Sequence, residues 1–291
     1  MTALVLLALS GVPSFAQTPG PEAGTASDGS LTMIAGYEAH RDRLRYEFAS
    51  PSSIDTPFLV PHSFEQEYVG DNQWFVVSAR YPVAGDSMET EVAFTPERQT
   101  SGSDFDTFYN PGNDIVVSGT EGDVRMRSLR LTHWSESRLW GLPWRVGYSY
   151  RRDRSEFLPA DVVVTHTSPP SAVGRFTTDR ETTISQVHEL MLDVSKPMAL
   201  TATWSAVVGV TISPLVRAKL TTILPDKYPG QDVVFELGES AAAARLQFAH
   251  RQGSRLILIG VNWGRSWSYS DERTFDRNSL NGTVRVGIVR R

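Results

Sequence analysis

The chain has 291 residues, a net charge of −5 and a hydrophobic content of 40%. Beyond the N-terminal segment no apolar run approaches the ~20 residues of a membrane-spanning helix, which excludes a helical membrane protein. With 28 basic and 33 acidic residues the chain has no overall positive field to hold nucleic acid, and the absence of cysteine excludes disulfides, thiol nucleophiles and cysteine-ligated zinc.

The first 30 residues differ in composition from the rest. Leu4 to Leu9 form a short apolar run, and Ser14-Phe15-Ala16 supplies small residues at the positions that a signal peptidase recognises. Residues 1–16 are therefore predicted to be a signal peptide, although no Lys or Arg precedes the apolar run. Residues 17–30 are rich in Gly, Pro, Thr, Ala and Ser, which favours a flexible lead-in to one domain over residues 31–291.

From Leu31 onward the dominant pattern is an alternation with a period of two, which is typical of β-strands. Between Trp144 and Arg151, for example, apolar and aromatic residues alternate with Arg, Gly and Ser. The turn between the sixth and seventh strands is predicted either at Lys196-Pro197 or at Ser213-Pro214. The pattern predicts ten strands, over residues 31–49, 63–83, 87–97, 121–134, 143–156, 181–196, 199–223, 233–249, 255–270 and 281–290.

Two architectures fit this alternation: a soluble sandwich with one face in water, and a transmembrane barrel with lipid outside and a polar lumen. The connections favour the barrel because short ones alternate broadly with longer ones, as in outer-membrane barrels. We therefore predict an all-β, transmembrane, antiparallel up-and-down barrel of about ten strands. It would lie in the cell outer membrane, in contact with outer-membrane lipid. The longer predicted connections, rich in Pro, Gly, Asp, Asn and Ser, are 50–62, 98–120, 157–180, 224–232 and 271–280.

In this barrel the charged face of the strands surrounds the lumen, so conduction through it, as in a small channel, is expected to be poor. Tryptophans are expected near strand ends or on the outer face, where interfacial girdles prefer them. The lumen is predicted to contain Arg43, Arg45, Glu89, Glu91, Arg145 and Arg285. The girdle is predicted to contain Trp74, Trp134, Trp140, Trp144, Trp263 and Trp267.

The segment from Ser103 to Asp114 is the best candidate for chemistry. Asp104 and Asp106 stand at i and i+2, so on an extended segment they share a side and lie close enough to share a proton and bind a water. A solvated turn and a calcium site that also uses Asn110 and Asp114 stay open as alternatives. There is no serine-hydrolase or zinc-protease motif, the histidines are scattered, and no metal or cofactor is predicted.

The order of strands, the length and above all Asp104-Phe105-Asp106 followed by Asn110-Pro111-Gly112 resemble the omptins, which are ten-stranded outer-membrane endopeptidases. The likeness runs from about Ser30 to the C-terminus. It implies a water-activating site with an aspartate pair on one side of the barrel mouth, matched by Asp104 and Asp106. An Asp-x-His dyad is implied on the other side, where Asp226 matches the aspartate by position.

Tyr228 stands where the histidine of that dyad is expected. Tyrosine has a pKa of about 10 and is a poor base at neutral pH, so its presence would cost about 10²–10⁴-fold in general-base catalysis. His62 and His166, both in predicted loops on the same rim, are candidates to replace it. The resemblance also implies binding of lipopolysaccharide phosphates on the outer wall, for which Tyr148 and Arg152 match, whereas Tyr150 stands where the family has a glutamate. An ordinary charge at a loop edge stays open as the alternative for Arg152.

Two functions follow from these residues. The aspartate pair favours an omptin-like endopeptidase that acts on a peptide or protein substrate. Tyr228 and the absence of the paired acidic residues that give omptins their preference for basic cleavage sites favour a catalytically inactive barrel with a binding or structural role in the outer membrane. Whether the chain is an enzyme is therefore left open by its sequence.

Overall fold

The computed structural model describes residues 31–50, 62–83, 86–110, 114–139, 142–158, 161–168, 170–177, 181–223, 225, 230, 232–268 and 273–290. The predicted signal peptide and lead-in lie outside these residues. No helix in the described part of the chain is long and apolar enough to cross a membrane. The strands are β1 (Leu31–Ser50), β2 (His62–Val83), β3 (Asp86–Asn110), β4 (Asp114–Leu139), β5 (Leu142–Phe157), β6 (Asp161–Ser168), β7 (Pro170–Thr177), β8 (Glu181–Ala199), β9 (Trp204–Ile223), β10 (Asp232–Gln252), β11 (Arg255–Ser268) and β12 (Arg273–Arg290).

Ten of these strands form a closed antiparallel barrel, which confirms the predicted fold class. The ring runs β1, β2, β3, β4, β5, β8, β9, β10, β11, β12, and it closes where β12 pairs with β1. β6 and β7 form a hairpin outside the ring, in which β6 continues the edge of β4 above the point where β5 ends. The turn at 253–254 and the strand ends at Val83 and Asp86 lie at one end of the barrel, and the opposite end is called the mouth below.

Three segments that were predicted to be connections contain strands. β3 runs to Asn110 and β4 begins at Asp114, so most of segment 98–120 is a paired hairpin. Segment 157–180 contains the β6–β7 hairpin, and β12 begins at Arg273. Cross-strand hydrogen bonding can continue above the membrane, where both faces of a strand contact water. A segment rich in Asp, Asn, Gly and Ser therefore indicates exposure to water and does not by itself indicate a loop.

The turn between β8 and β9 was predicted at the wrong place in both alternatives. It lies at residues 200–203, where the Trp204 amide donates to Thr201 Oγ1 at 3.0 Å. Pro197 continues β8, and Pro214 occupies a bulge of β9 between the pairs Leu190↔Leu215 and Leu192↔Ile212. A bulge tolerates proline because it removes the need for one ladder hydrogen bond.

The outer face of the barrel is an apolar band. Val286 and Trp263 are each 57% exposed, and Val261 and Leu280 are similarly bare. A soluble protein does not display so many large apolar side chains around its whole girth, whereas a lipid-facing barrel requires them. The band therefore marks the membrane-spanning part of each strand.

The lumen holds the charged face, as predicted for Glu89, Glu91, Arg145 and Arg285. The prediction was wrong for Arg43 and Arg45. The register between β1 and β2 is unbroken from Thr32 to Ser50, so both positions share the outer face with Tyr37. They stand above the apolar band, where the outer face meets water and headgroups. Polar residues occur on both faces of a strand there, so the pattern of polar and apolar residues no longer tells which face is the inner one.

Tryptophans divide between the two faces. Trp263 and Trp267 are exposed on the outer wall as predicted. Trp74 is instead fully buried in the lumen, where the guanidinium groups of Arg130 and Arg151 lie 5.2 and 5.1 Å from its ring centroid. Trp134 lies under Arg145 at 4.5 Å. These rings shield the arginines from solvent and pair with their charge, which a girdle position does not offer.

Ion pairs cross the lumen in two groups. In the first, Arg130 and Arg285 each contact both Glu38 and Glu91, with Arg130 Nη2 to Glu91 Oε1 at 2.8 Å and Arg285 Nη1 to Glu91 Oε2 at 2.7 Å. In the second, Asp193 Oδ1 accepts from Arg145 Nε and from Arg245 Nη2, both at 3.1 Å. A cavity of about 470 Å³ remains between these groups and the small residues of β9 to β12.

Candidate active site

The path of β3 decides which of its residues face the interior at the mouth. β3 pairs with β4 as Thr95↔Ser128 and then as Arg98↔Met126, so β3 contains one extra residue between these pairs. Below the irregularity Glu91 and Ala93 are buried and Phe94 is exposed. The extra residue reverses this parity, and above it the even-numbered positions of β3 continue the inner face.

Asp104 and Asp106 occupy two of these even-numbered positions. Phe105 between them is 37% exposed, and its ring covers Gly119 of β4, where an added Cβ would lie 2.8 Å from the ring. Because neighbouring residues of a strand alternate between faces, positions 104 and 106 share the face opposite Phe105. In register, Asp104 lies between Gln66 and Thr120, and Asp106 lies between Phe64 and Ser118.

Asp226 and Tyr228 lie outside the described residues, of which the β9–β10 connection contributes only Pro225 and Gly230. The ends of that connection are nevertheless placed. It joins β9 to β10 at the mouth, and β10 lies five strands from β3 in either direction around the ring. The strand ends at Ile223 and Asp232 therefore lie on the side of the mouth opposite β3.

The two candidate histidines lie in strands rather than in loops. His62 begins β2 and pairs with Phe108 of β3, next to the pair Phe64↔Asp106. His166 belongs to β6 and pairs with Val116 of β4. His62 is therefore on the strand adjacent to the aspartate pair, and His166 is two strands away from it.

A buried polar layer, which the sequence analysis missed, lies beneath the mouth. Arg151 Nε donates to Asp153 Oδ1 at 2.8 Å, and the Ser128 hydroxyl also bonds to that carboxylate. Both residues of the ion pair are less than 10% exposed, and Arg151 covers the Trp74 ring. The i, i+2 spacing of Arg151 and Asp153, which puts two opposite charges on the same face of β5, is the sequence feature that could have predicted this pair. Because the Arg151 guanidinium neutralises the Asp153 carboxylate, this buried pair is better suited to support the strands beneath the mouth than to take part in a reaction.

Tyr148 and Arg152 face outward on β5. The Tyr148 hydroxyl lies 2.6 Å from His188 Nδ1 on β8, and the His188 ring also lies 5.1 Å from that of Tyr150. Arg152, the next outward-facing residue after Tyr150 on β5, is exposed and pairs with Leu129 of β4 and Gln186 of β8. The same wall carries further exposed cations at the level above the apolar band, namely Arg127, Arg217 and Lys219.

The strand geometry excludes the calcium site considered from the sequence. Asp104 and Asn110 are six residues apart in one extended strand, which corresponds to about 20 Å at ~3.3 Å per residue. One ion cannot be bound by both, since calcium–oxygen distances are about 2.4 Å. Within the described residues, no group of three or more His, Asp or Glu side chains could hold a metal ion.

Comparisons with known proteins show the fold. The outer membrane protease OmpT from Escherichia coli matches with a TM-score of 0.61 and 6% identity, over 91% of this chain and 98% of that one. The translocator domain of the autotransporter NalP from Neisseria meningitidis matches with a TM-score of 0.37 and 11% identity, over 89% of this chain and 88% of that one. No family model and no curated protein sequence matches the chain. The chain is an outer-membrane β-barrel of the architecture seen in OmpT.

Proposed function

We propose that this barrel is an omptin-like endopeptidase of the cell surface, which cleaves peptides by attack of a water held by Asp104 and Asp106. The carrying observation is the placement of both aspartates on one face of β3 at the mouth, on the inner side of the register. The OmpT-like architecture, matched over 98% of that protein, supports the same activity.

Two carboxylates at this spacing suit water activation. Direct neighbours on one face of a strand lie about 7 Å apart, so both can hydrogen-bond to one water. Their mutual repulsion favours a state in which one is protonated and the other ionised. The ionised group orients the water, and the water oxygen attacks the peptide carbonyl carbon while a base takes one proton from it. The bond from that carbon to nitrogen then breaks, and the protonated base returns this proton to the departing nitrogen, which leaves a carboxylic acid and an amine.

The test is cleavage of a mixed peptide library by the detergent-folded protein. We expect cleavage by the wild type, and a loss of about 10²-fold or more in Asp106→Asn and Asp104→Asn. Asp86→Asn is the matched control, because Asp86 is an exposed carboxylate at the opposite end of β3. Absence of cleavage by correctly folded wild type between pH 5 and pH 9 would instead establish the catalytically inactive barrel.

We also propose that the wall around Tyr148 and Arg152 binds the phosphates of lipopolysaccharide. The basic character of this wall supports the proposal, since Arg127, Arg152, Arg217 and Lys219 all stand exposed where headgroups lie. Native mass spectrometry with added lipopolysaccharide should show weaker retention by Arg152→Gln than by Arg255→Gln, whose arginine is exposed near the short turns. Equal retention would contradict the assignment.

A further inference from the structure

We infer that His62, and not a residue of the β9–β10 connection, supplies the general base for the water at the aspartate pair. The inference rests on the proposed endopeptidase function and deepens it. The residue expected to be the base on the far side of the mouth is Tyr228 in this chain. The reaction therefore requires a base from elsewhere, and the strand register brings an imidazole-bearing position next to Asp106.

The placement follows from two uninterrupted stretches of pairing. β1 and β2 keep one register from Thr32↔Arg80 to Ser50↔His62, so the inner face of β2, which includes Trp74 and Val76, reaches position 62 at the mouth. β2 and β3 keep one register from Val69↔Ser101 to His62↔Phe108. Position 62 therefore shares the inner face with positions 104 and 106.

Within that face, positions 62 and 106 are diagonal neighbours on adjacent strands, because His62 pairs with Phe108 and Phe64 pairs with Asp106. Diagonal neighbours have Cβ atoms roughly 7 Å apart. That separation lets an imidazole and a carboxylate hydrogen-bond to the same water. Positions two strands apart are separated by about 10 Å or more, since neighbouring strands lie ~4.8 Å apart.

The other histidines are placed less well. His40 pairs with Asn72, six residues below the Gln66↔Asp104 pair and thus about 20 Å farther along the strand from the mouth. His133 and His188 are exposed on the outer wall. His250 stacks on Trp204 beside the short turns, with ring centroids 4.7 Å apart. His166 shares the register row of His62 but lies two strands from Asp106.

The ionisable positions nearest to His62 lie on the strands next to β2. On the inner face of the neighbouring strands they are Asp104 and Asp106 of β3 and Tyr46 of β1, which pairs with Gln66. On the outer face Glu65 is bonded to Arg45 at 3.0 Å, so that carboxylate is already neutralised. Histidine is the side chain type whose ordinary pKa suits it to act as a general base near neutral pH.

The step is a general-base hydrolysis. The imidazole takes one proton from the water as the water oxygen bonds to the peptide carbonyl carbon. The imidazolium then donates that proton to the departing nitrogen as the carbon–nitrogen bond breaks. The products are a carboxylic acid and an amine, and His62 returns to its neutral form. No oxidant, reductant or other reactant is needed.

The test compares His62→Gln, His62→Ala and the matched control His166→Gln with wild type, each as folded full-length protein in detergent. We expect His62→Gln to lower kcat by about 10²–10⁴-fold with little change in KM, while His166→Gln retains its rate. The fall of kcat/KM on the acid side of the wild-type pH profile should disappear in His62→Gln. Added free imidazole should restore part of the rate of His62→Ala, which a purely structural role would not allow.

The outcomes separate the two claims. If Asp106→Asn is inactive while His62→Gln cleaves within about threefold of wild type, the aspartates are catalytic and the role of His62 is refuted. If His62→Ala loses activity but imidazole does not restore it and the acid limb persists in His62→Gln, the role as a base is also refuted. If folded wild type cleaves nothing, the endopeptidase function itself fails.

Discussion

Asp193 offers the sharpest test of what holds the lumen together. Its side chain is fully buried and accepts from Arg145 Nε at 3.1 Å, Arg245 Nη2 at 3.1 Å and Thr211 Oγ1 at 2.8 Å. Asp193→Asn keeps the shape but removes the charge, so two largely buried guanidinium groups lose their common anion. We expect a strong loss of stability.

The magnitude follows from burial. Removing one partner of a buried ion pair costs about 3–5 kcal/mol, because the remaining charge stays desolvated. The amide oxygen still accepts hydrogen bonds from the guanidinium groups, which places Asp193→Asn at the lower end of that range, near 3 kcal/mol, or roughly 100-fold in the unfolding equilibrium. Glu67→Gln is the matched control. Its partner Arg43 is 56% exposed, and exposed pairs contribute less than about 1 kcal/mol.

The measurement is urea-induced unfolding of each variant in the same detergent or vesicle, followed by tryptophan fluorescence. Both substitutions replace one carboxylate by its amide, so their difference isolates the effect of burial. Equal losses of stability in Asp193→Asn and Glu67→Gln would refute the claim that the buried ion pairs in the lumen stabilise the fold more than an exposed pair does.

Two further substitutions test the packing of the lumen and the lipid face by the same unfolding measurement. Gly209→Ala places a Cβ 3.0 Å from Arg245 Nη2 and 3.2 Å from Ser195 Cβ, so it should destabilise the protein by about 1–3 kcal/mol. Gly282→Ala is the control and should be neutral, because the atom nearest to its added Cβ is 3.9 Å away. Val286→Arg, at a position 57% exposed in the apolar band, should cost about 2–4 kcal/mol in a bilayer. Thr201→Arg, in the exposed turn at 200–203, should cost nothing measurable, and comparable losses in both would contradict a membrane location for the band.

The membrane-spanning part of the fold could be predicted because two solvents act on it. Lipid outside and polar groups inside impose strict alternation, and Val284, Val286 and Ile288 are each at least 50% exposed on the outer face as predicted. Above the membrane both faces contact polar surroundings. Arg43 and Arg45 were assigned to the lumen there because no apolar partner residue fixed the face.

Long-range side-chain pairing was also beyond the sequence. Trp74 belongs to an alternating strand and is a reasonable girdle residue by its type. Its burial under Arg130 and Arg151 depends on β4 and β5, which lie two and three strands away around the ring and turn these side chains toward it because the sheet curves into a barrel. Arg285 reaches Glu91, which is 194 residues away in the chain, for the same reason.

The facing of the aspartate pair depends on a single inserted residue. Below the irregularity of β3 the even-numbered Phe94 is exposed on the outer wall, so an unbroken strand would have carried Asp104 and Asp106 to the same outer face. The extra residue lies next to Pro96, which cannot donate to a ladder and therefore fits a bulge. The second bulge, at Pro214 of β9, stands on the wall that leads to the β9–β10 connection. In both β3 and β9, therefore, the residues that face the lumen change from odd-numbered to even-numbered positions at a proline. The spacing of residues within one segment does not show this change. Only the pairing between strands shows on which side of the barrel wall positions 104 and 106 lie.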